Sequence, residues 1–308
     1  AVSHPAKAAQ SCDHSRMNQV NSKRVVVIGG GPAGLMAAES AVAHGASVDL
    51  YDRMGSVGRK FLIAGKGGLN LTHSEPLQRF VTRFGQRQHE VARWLERLGP
   101  DALRAWASGL GVETFVGSSG RVFPKDLKAA PLLRGWVRRL RANGVRFHVQ
   151  QRWTGWDDTG ALRLVGIAGE QRVAADAVVL ALGGASWPIL GSDGAWFPLL
   201  RECDFDLAPL QPSNCGFDVG WSAFLRKRFA GAPIKPVAIG WTGADDSRIY
   251  RQGEFVLTEN GIEGSLVYSL SAGLRDAIAT TGSTTIEVDL APGRDAARLE
   301  RELSRPRG

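Results

Sequence analysis

The sequence predicts an α/β fold built on a parallel sheet, and this prediction depends on the order of residues near the N-terminus. An apolar run at 25–28 leads directly into three glycines. Small and apolar residues follow, as is typical of a helix packed closely on a sheet, and Gly45 marks its end. A second run carries Val48 and Leu50 in alternation and ends on Asp52. This order predicts a βαβ unit of the kind that binds dinucleotides.

Each residue of the glycine segment has a predicted task. Gly29 allows the tight turn out of the strand, and Gly31 lacks the Cβ that would keep a pyrophosphate away from the backbone. Gly34 lets the helix pack closely against the strand. Pro32 stands at the start of the helix, where a missing N–H costs nothing. The free N–H groups of this first turn, including that of Ala33, are expected to face the phosphates.

Asp52 is the predicted contact of the adenosine ribose. It follows Gly34 by 18 positions, which is where an acid in such a unit accepts hydrogen bonds from the ribose 2′-hydroxyl. A carboxylate here argues against a cofactor that carries a 2′-phosphate, because two anions repel each other. The βαβ unit by itself fits NAD and FAD equally well.

Composition excludes fewer classes of function than the βαβ motif does. A chain of 308 residues with 44% hydrophobic content holds one large or two modest domains with ordinary cores. The formal net charge is +8, and most of the basic residues are arginine. An acidic ligand, RNA or an arginine-rich surface would each account for this charge. Because the sequence has no dense run of lysine and arginine, it favours the surface interpretation.

Cysteine spacing and hydropathy indicate a cytoplasmic protein without a membrane span. Cys12, Cys203 and Cys215 show neither CxxC nor metal-ligand spacing, so we expect free thiols, a reducing compartment and no metal site. The most apolar stretch, 25–43, contains four glycines, which favours strand, turn and helix over a membrane helix. Residues 1–16 lack the apolar centre of a signal peptide.

The pattern along the chain predicts two domains after a disordered tail at 1–22. We expect a Rossmann-like domain at 23–200 and a smaller, β-rich α+β domain at 201–308, inserted on a loop of the first. The elements expected in the first domain are helices at 77–98, 100–110 and 127–142, a polar glycine segment at 117–126, strands at 145–149 and 176–181, and a β-meander at 153–172. Those expected in the second are short strands at 217–219, 237–241, 253–258 and 285–290, then a helix at 295–304.

Four further segments connect the chain to a known family. They read GRKFLIAGKGGLNLTH at 58–73, GRVFP at 120–124, ALGGASWPILGSDGAW at 181–196 and GEFVLTENGIEG at 253–264. In the same order, they resemble the motifs of bacterial FAD-binding flavoproteins labelled aminoacetone-oxidase-like or BaiN-like NAD(P)/FAD-dependent oxidoreductases. The resemblance covers about residues 23–300 and is specific for the family rather than for a substrate.

This resemblance implies an FAD-dependent oxidoreductase that oxidises or reduces a small organic substrate, with 23–200 as the FAD-binding domain. The loop after the second strand would run along the phosphates and the ribityl chain of FAD, where backbone N–H groups, Arg and Lys suit a pyrophosphate. Beyond the glycine segment and Asp52, the implied cofactor contacts are Arg53, Gly58, Arg59, Lys60, Gly65, Gly67, Asn70, Val149, Ala181, Gly183 and Gly184. No second GxGxxG is present, so NAD(P)H, if it is the reductant, binds without its own Rossmann fingerprint.

The catalytic candidates come from the family loop and the GRVFP segment. Lys66 or Arg121 would stabilise a reduced, anionic flavin or an acidic substrate, and His73 would donate a proton. For each of these residues a purely structural role is the stronger interpretation. The sequence does not assign the catalytic residues.

Two departures from the family pattern leave alternatives open. Gly68 and Leu69 stand where the family has Arg-Cys, and nothing like the family's closing segment follows Asp289. We therefore expect a C-terminally truncated chain with an incomplete FAD site, and one alternative is a non-catalytic flavoprotein. The other alternative is an FAD-dependent protein that modifies or binds RNA, which the net charge and the basic segment at 134–141 suggest. The oligomeric state is left open.

Overall fold

The computed structural model describes residues 22–64, 68–243 and 246–304. The chain divides into two compact units, Ala1–Ala208 and Pro209–Gly308. The predicted disordered tail at 1–22 lies, apart from Ser22, outside the described residues. That the second unit is an insertion into the first, and that it is incomplete, stay predictions.

A four-stranded parallel sheet forms the centre of the first unit. Its strands, in spatial order, are β10 (Ala177–Leu180), β1 (Arg24–Ile28), β2 (Ser47–Asp52) and β6 (Arg146–Val149). β1 pairs in parallel with β10 and β2, and β2 pairs in parallel with β6. The carboxyl ends of all four strands therefore meet at one edge, which is where open α/β sheets bind their ligands. This sheet confirms the predicted α/β class.

Two helices cover one face of the parallel sheet. α1 (Pro32–Ala43) follows β1, and α6 (Ala129–Ala142) precedes β6. Side chains of a strand alternate between the two faces, so every second residue of β1 and β2 points towards these helices. The buried residues of this layer are Val27, Leu35, Ala38, Val48, Leu50, Leu133, Trp136, Leu140 and Val145.

An antiparallel meander and one helix cover the other face. The meander consists of β7 (Arg152–Trp156), β8 (Leu162–Gly166) and β9 (Gly169–Val173), and α7 (Trp196–Glu202) contributes to the same core. The buried residues of this layer are Val26, Ile28, Tyr51, Trp153, Leu162, Leu164, Val173 and Leu200. β1 and β2 thus lie between two apolar cores, which fixes the ends of both strands where the predicted site begins.

A smaller antiparallel sheet includes part of the polar glycine segment at 117–126. Its strands, in spatial order, are β3 (Thr72–His73), β5 (Arg121–Pro124) and β4 (Thr114–Val116). β5 shows the alternating burial of a strand, with Val122 fully buried. Four residues are too few for a period of two to stand out in the sequence, and this is why the sequence analysis assigned no strand here.

The helices of this region also differ from the prediction. They are α2 (Arg59–Ile63), α3 (Leu77–Thr82), α4 (Gln88–Leu95) and α5 (Pro100–Gly109). The single helix predicted at 77–98 is α3 and α4 with a 3₁₀ turn between them, and Gly85 at the start of this turn has a φ of 53°. The helix predicted at 127–142 begins only at Ala129, because Leu127 has a φ of 61°, outside the helical region.

The second unit contains a five-stranded antiparallel sheet. Its strands, in spatial order, are β11 (Phe217–Asp218), β14 (Gly261–Glu263), β13 (Arg248–Leu257), β12 (Pro233–Thr242) and β15 (Glu287–Asp289). Its helices are α8 (Ala223–Phe229), α9 (Ser265–Tyr268), α10 (Ser271–Thr281) and α11 (Ala296–Leu303). The sequence analysis missed α8, α9 and α10, although Leu266, Val267, Leu270 and Leu274 recur at the spacing of a buried helical face and are buried in this unit's core. Across the described ranges, no helix combines the length and the apolar character that crossing a membrane requires.

One buried carboxylate connects three strands of the parallel sheet. Asp49 of β2 is 1% exposed and accepts hydrogen bonds from Arg24 Nε of β1 at 3.0 Å and from Arg146 Nε of β6 at 2.8 Å. His148 Nε2 lies 2.7 Å from the same carboxylate. The hydrogen bond from Arg146 outweighs the effect of burial and, with those from His148 and Arg24, holds the pKa of Asp49 well below its usual range.

We expect Asp49→Asn to lower the free energy of unfolding by about 2 kcal/mol at neutral pH, because hydrogen bonds to a charged acceptor become bonds to a neutral one. Because the pKa of Asp49 is lower in the folded than in the unfolded protein, its ionised carboxylate stabilises the fold at pH values above the unfolded pKa of about 3.9. This stabilisation is lost progressively as the pH falls below about 3.9. Urea unfolding of both proteins from about pH 3 to 8 measures the effect, since the difference should shrink in acid.

The matched control is Glu170→Gln, which removes an ion pair with Arg163 whose side chains are 43% and 40% exposed. An exposed pair is worth less than about 1 kcal/mol. A difference between Asp49→Asn and the wild type that stays constant across the pH range would contradict the assignment.

Candidate dinucleotide site

The turn after β1 has a shape that only glycine tolerates at two positions. Gly29 has a φ of 108°, and its N–H donates to the Tyr51 carbonyl at 2.8 Å. A Cβ on Gly34 would stand 1.8 Å from the Gly29 carbonyl oxygen. The first turn of α1 therefore lies directly against the end of β1, as the spacing of the glycines predicts.

Gly31 is different, because it faces open space. A Cβ built on Gly31 would meet no atom within 4 Å, and its φ of −78° is one that any residue adopts. No side chain caps the N-terminus of α1 here, so the N–H groups of the first turn are left to water or to a ligand. With the positive end of the helix dipole, this forms a cradle for an anion.

Asp52 holds the glycine turn from the end of the next strand. One carboxylate oxygen accepts the Gly30 N–H at 2.6 Å, and the other accepts the Met54 N–H at 2.7 Å. Burial raises the pKa of Asp52, and these two N–H groups oppose the increase. The sequence analysis predicted only the ribose contact and missed this second task, since Gly30 lies 22 residues away in the chain.

These elements surround one cavity of about 350 Å³, which lies in the size range of small-molecule and cofactor sites. Ten of the predicted cofactor contacts line it, and they are Gly29, Gly31, Pro32, Ala33, Asp52, Gly58, Arg59, Lys60, Ala181 and Gly183. The carboxyl ends of β1, β2 and β10 thus contribute to one site, and the exposed side chains of Arg59 and Lys60 supply its cations.

A segment that we call the strap, residues 182–194, forms another wall of this cavity through Leu182, Gly183, Leu190, Gly191 and Ser192. It follows β10 and precedes α7. Arg53 forms an ion pair with Asp193 of the strap and donates to the Pro188 carbonyl at 3.3 Å. Lys60 donates a hydrogen bond to the Ser186 hydroxyl. Two basic residues predicted as cofactor contacts therefore also hold the strap.

The remaining predicted cofactor contacts lie elsewhere. Gly34 is behind the cradle, against Gly29, and Arg53 lines a neighbouring pocket beside Asp193. Asn70, Val149 and Gly184 are exposed, and they do not line the cavity. Val149 is the last residue of β6 and pairs in register with Asp52. Gly65 and Gly67 lie outside the described residues.

The predicted catalytic residues are not gathered at this cavity. Both ring nitrogens of His73 engage local backbone, since Nε2 lies 3.0 Å from the Ser119 carbonyl oxygen and Nδ1 accepts the Glu75 N–H at 3.1 Å. This arrangement favours a structural role for His73 in the small sheet. Arg121 is exposed at the start of β5, opposite His73. Lys66 lies outside the described residues.

Half of the cavity residues that the sequence analysis missed come from the strap, and these are Leu182, Leu190, Gly191 and Ser192. The others are Gly30 of the glycine turn and Ser56, Phe61 and Ala64, which follow β2. The GSDG run at 191–194 was visible in the sequence. Nothing local indicated that it returns to the glycine turn, because its partner Arg53 is 140 residues away.

Ser192 carries a second sign of a ligand site. This residue is 8% exposed, and its hydroxyl is buried without a hydrogen-bond partner. A buried polar atom without a partner costs about 1–3 kcal/mol, and a polar ligand in the cavity could supply that partner. With the open side of Gly31 and the uncapped helix N-terminus, the residues present fit a dinucleotide such as FAD.

The basic segment at 134–141 on α6 is partly engaged within the first unit. Arg139 forms an ion pair with Glu39 at 2.6 Å, and the Arg141 guanidinium lies 5.5 Å from the centre of the Phe147 ring. Both contacts tie α6 to its own unit. RNA binding stays a prediction.

A family model and a curated relative match most of the chain. The model, described as the HI0933-like protein Rossmann domain, matches residues 23–291. The 3-dehydro-bile acid delta(4,6)-reductase of Clostridium scindens is 27% identical over 291 residues, which cover 91% of this chain and 68% of that protein.

Solved structures of a dehydrogenase and of a fumarate reductase are more distantly similar. The 3-ketosteroid-delta4-(5alpha)-dehydrogenase of Rhodococcus jostii RHA1 is 18% identical with a TM-score of 0.46, and the alignment covers 72% of this chain and 57% of that one. A flavocytochrome c3 fumarate reductase is 18% identical with a TM-score of 0.47, and the alignment covers 74% of this chain and 44% of that one. This chain thus spans about half the length of these two structures.

Two glycine substitutions should separate folding from ligand binding. We expect Gly31→Ala to fold with an unchanged melting temperature and to weaken FAD binding at least about tenfold, because its Cβ enters only ligand space. Gly34→Ala should lose stability as well, by more than about 3 kcal/mol, since its Cβ would meet backbone at 1.8 Å. Thermal unfolding and titration of FAD fluorescence measure the two effects.

Gly55→Ala is the control for the glycine pair, because Gly55 also faces open space but does not line the cavity. It should leave both the melting temperature and the affinity for FAD unchanged. If Gly31→Ala bound FAD as tightly as the wild type, the cradle would not be the pyrophosphate site.

Asp52 should affect cofactor affinity in a graded way. We expect Asp52→Ala to weaken FAD binding more than about tenfold, because the turn at Gly30 and the ribose lose the same acceptor. Asp52→Asn should fall between Asp52→Ala and the wild type, since its one side-chain oxygen replaces two. Asp158→Ala, an exposed acid on the meander, is the control. Equal affinities for Asp52→Ala and the wild type would remove both roles.

Proposed function

Because the chain belongs to the HI0933-like Rossmann family, we propose that it uses FAD, bound between the glycine turn and the strap, to reduce an unsaturated organic substrate. The family match confirms the predicted family and the Rossmann-like fold class. The curated relative, which is named a reductase, supports oxidoreductase as the class of enzyme. FAD as the cofactor, the cavity that binds it, the direction of the reaction and the type of substrate are the proposal.

The placement of FAD depends on the meeting of three features at one cavity. The open side of Gly31, the uncapped N-terminus of α1 and the half-buried carboxylate of Asp52 all meet at the same cavity. The first two suit a pyrophosphate, and the third suits a ribose hydroxyl. A nucleotide with a phosphate group and a sugar satisfies all three together.

The roles of the residues follow from this placement. The first turn of α1 would bind the pyrophosphate through backbone N–H groups, and Arg59 and Lys60 would add positive charge. Asp52 would accept hydrogen bonds from the adenosine ribose while it holds Gly30. The bound flavin supplies the transfer of two electrons, and the protein supplies orientation and electrostatics.

The proposed substrate class comes from the curated relative, whose name states that it reduces a 3-dehydro-bile acid. We infer a small organic substrate with a reducible carbon–carbon double bond for this chain as well. NAD(P)H is the proposed reductant, and it would approach without a Rossmann unit of its own. Among the described residues that line the cavity, the ionisable ones are Asp52, Arg59 and Lys60, so the proton donor of the reaction is not assigned.

The proposed cytoplasmic location has independent support from the thiols. Cys203 and Cys215 are free, as is usual for proteins of a reducing compartment.

The test is the visible spectrum of the recombinant chain, followed by anaerobic reduction. We expect a yellow protein, or one that takes up added FAD in equal amount, whose flavin band bleaches with NADH or NADPH and recovers with an unsaturated ketone. Gly31→Ala is the matched control, and it should need at least about tenfold more added FAD for the same occupancy. A folded wild-type chain that takes up no FAD would refute the proposal, and FAD uptake without reoxidation by any enone would refute the substrate class.

A further inference from the structure

The strap is fastened to the glycine site by an ion pair rather than by apolar packing alone. The guanidinium of Arg53 meets the carboxylate of Asp193, and the two side chains are 27% and 28% exposed. The same guanidinium donates to the Pro188 carbonyl. Arg53 directly follows Asp52 at the end of β2, so the pair connects the strap to the strand that carries the ribose acid.

A second hydrogen bond, from within the chain segment that follows it, holds the carboxylate of Asp193 in place. Its other carboxylate oxygen accepts the Ala195 N–H at 3.2 Å. Burial acts to raise the pKa of Asp193, but the hydrogen bonds from Arg53 and Ala195 outweigh it and lower the pKa. The carboxylate is therefore ionised at neutral pH and available to Arg53.

Contacts within the strap and with the loop after β2 hold the strap in one conformation. Trp187 and Ser192 exchange backbone hydrogen bonds, each at 3.2 Å. Gly191 comes so close to the loop after β2 that a Cβ on it would stand 2.8 Å from Met54 Cγ. Leu190, Gly191 and Ser192, the three residues before Asp193, line the cavity. The position of Asp193 therefore sets the position of this wall.

We propose that Arg53 and Asp193 form a positioning pair that holds the strap as a wall of the FAD site, so that Arg53 acts through Asp193 and does not bind the cofactor itself. This inference rests on the proposed function of the cavity. The physical reason is preorganisation, because a wall that is already ordered does not have to be ordered when the ligand binds. The resemblance to flavoproteins implied a direct contact between Arg53 and FAD, and the pairing with Asp193 points instead to this indirect role.

A double-mutant cycle tests the pair. The variants are Arg53→Ala, Asp193→Ala, the double alanine variant, and the charge swap that combines Arg53→Asp with Asp193→Arg. We expect each single variant to bind FAD about 5- to 10-fold more weakly and the double variant to be no weaker than either. The swap should recover part of the affinity, and Arg53→Lys should retain most of it. Titration of FAD fluorescence at fixed salt gives the dissociation constants.

A second readout follows the strap itself. Hydrogen–deuterium exchange of peptides within 182–194 should rise equally in both single alanine variants of the FAD-free protein, and it should fall back in the charge swap. Arg163→Ala on the meander is the matched control, because it removes another ion pair in the same unit without touching the cavity. It should change neither the exchange of the strap nor the affinity for FAD.

The possible results separate this inference from the proposed function. If Arg53→Ala weakens FAD binding while Asp193→Ala does not, Arg53 contacts the cofactor directly and the positioning pair is refuted. If both variants lower the melting temperature but leave the affinity and the exchange of the strap unchanged, the pair is only structural and the inference is again refuted. If the wild-type chain binds no FAD, the proposed function fails. Unchanged hydrogen–deuterium exchange of the strap in the two single variants would then refute the positioning pair as well.

Discussion

The cavity depends on the hydrogen bond from the Gly30 N–H to the carboxylate of Asp52. This contact, at 2.6 Å, joins the turn after β1 to the end of β2 and thereby fixes the backbone on both sides of the site. Gly30 can approach so closely because it has no side chain, since a Cβ would stand 2.4 Å from Val57 Cγ1. The carboxylate is buried at a cost, and the two backbone N–H groups that it accepts compensate for that cost.

The rest of the site is arranged around this turn. The two cores on either face of the parallel sheet hold β1 and β2 in place, and Asp49 adds a polar link across β1, β2 and β6. On this frame, the residues that follow the strands take defined positions. A Cβ on Gly31 would meet open space, whereas a Cβ on Gly34 would collide with the Gly29 backbone. Of these two glycines three residues apart, Gly34 is thus required for packing, and Gly31 is the one proposed to face the ligand.

Much of the βαβ unit could be predicted from the sequence, because its requirements are local. Gly29, Gly31 and Gly34 are read from their spacing, and their tasks follow from the geometry of one turn. The partners of Asp52 and Arg53 could not be predicted in this way. Gly30 and Asp193 lie 22 and 140 residues from them, and no pattern in the sequence specifies which strand ends will meet.

The sequence analysis also left several elements unassigned. β5 has too few residues to show an alternation, and α8, α9 and α10 were missed because short strands dominate the pattern around them. His73 was a reasonable proton donor by residue type, but its ring nitrogens are engaged by the backbone of its own region. More of the predicted cofactor contacts than of the predicted catalytic residues line the cavity, since a site formed largely by backbone follows from glycine spacing and a proton donor depends on one particular side chain.

The ion pair between Arg53 and Asp193 also affects which charges would attract an anionic ligand to the cavity. A guanidinium neutralised by a carboxylate attracts a distant anion only weakly, even though the chain as a whole carries a net charge of +8. The long-range attraction for an anionic dinucleotide would thus come mainly from Arg59, Lys60 and the end of α1. At physiological salt, charges on the surface are screened within about 8 Å, so the many arginines elsewhere on the protein contribute little to capture of the ligand.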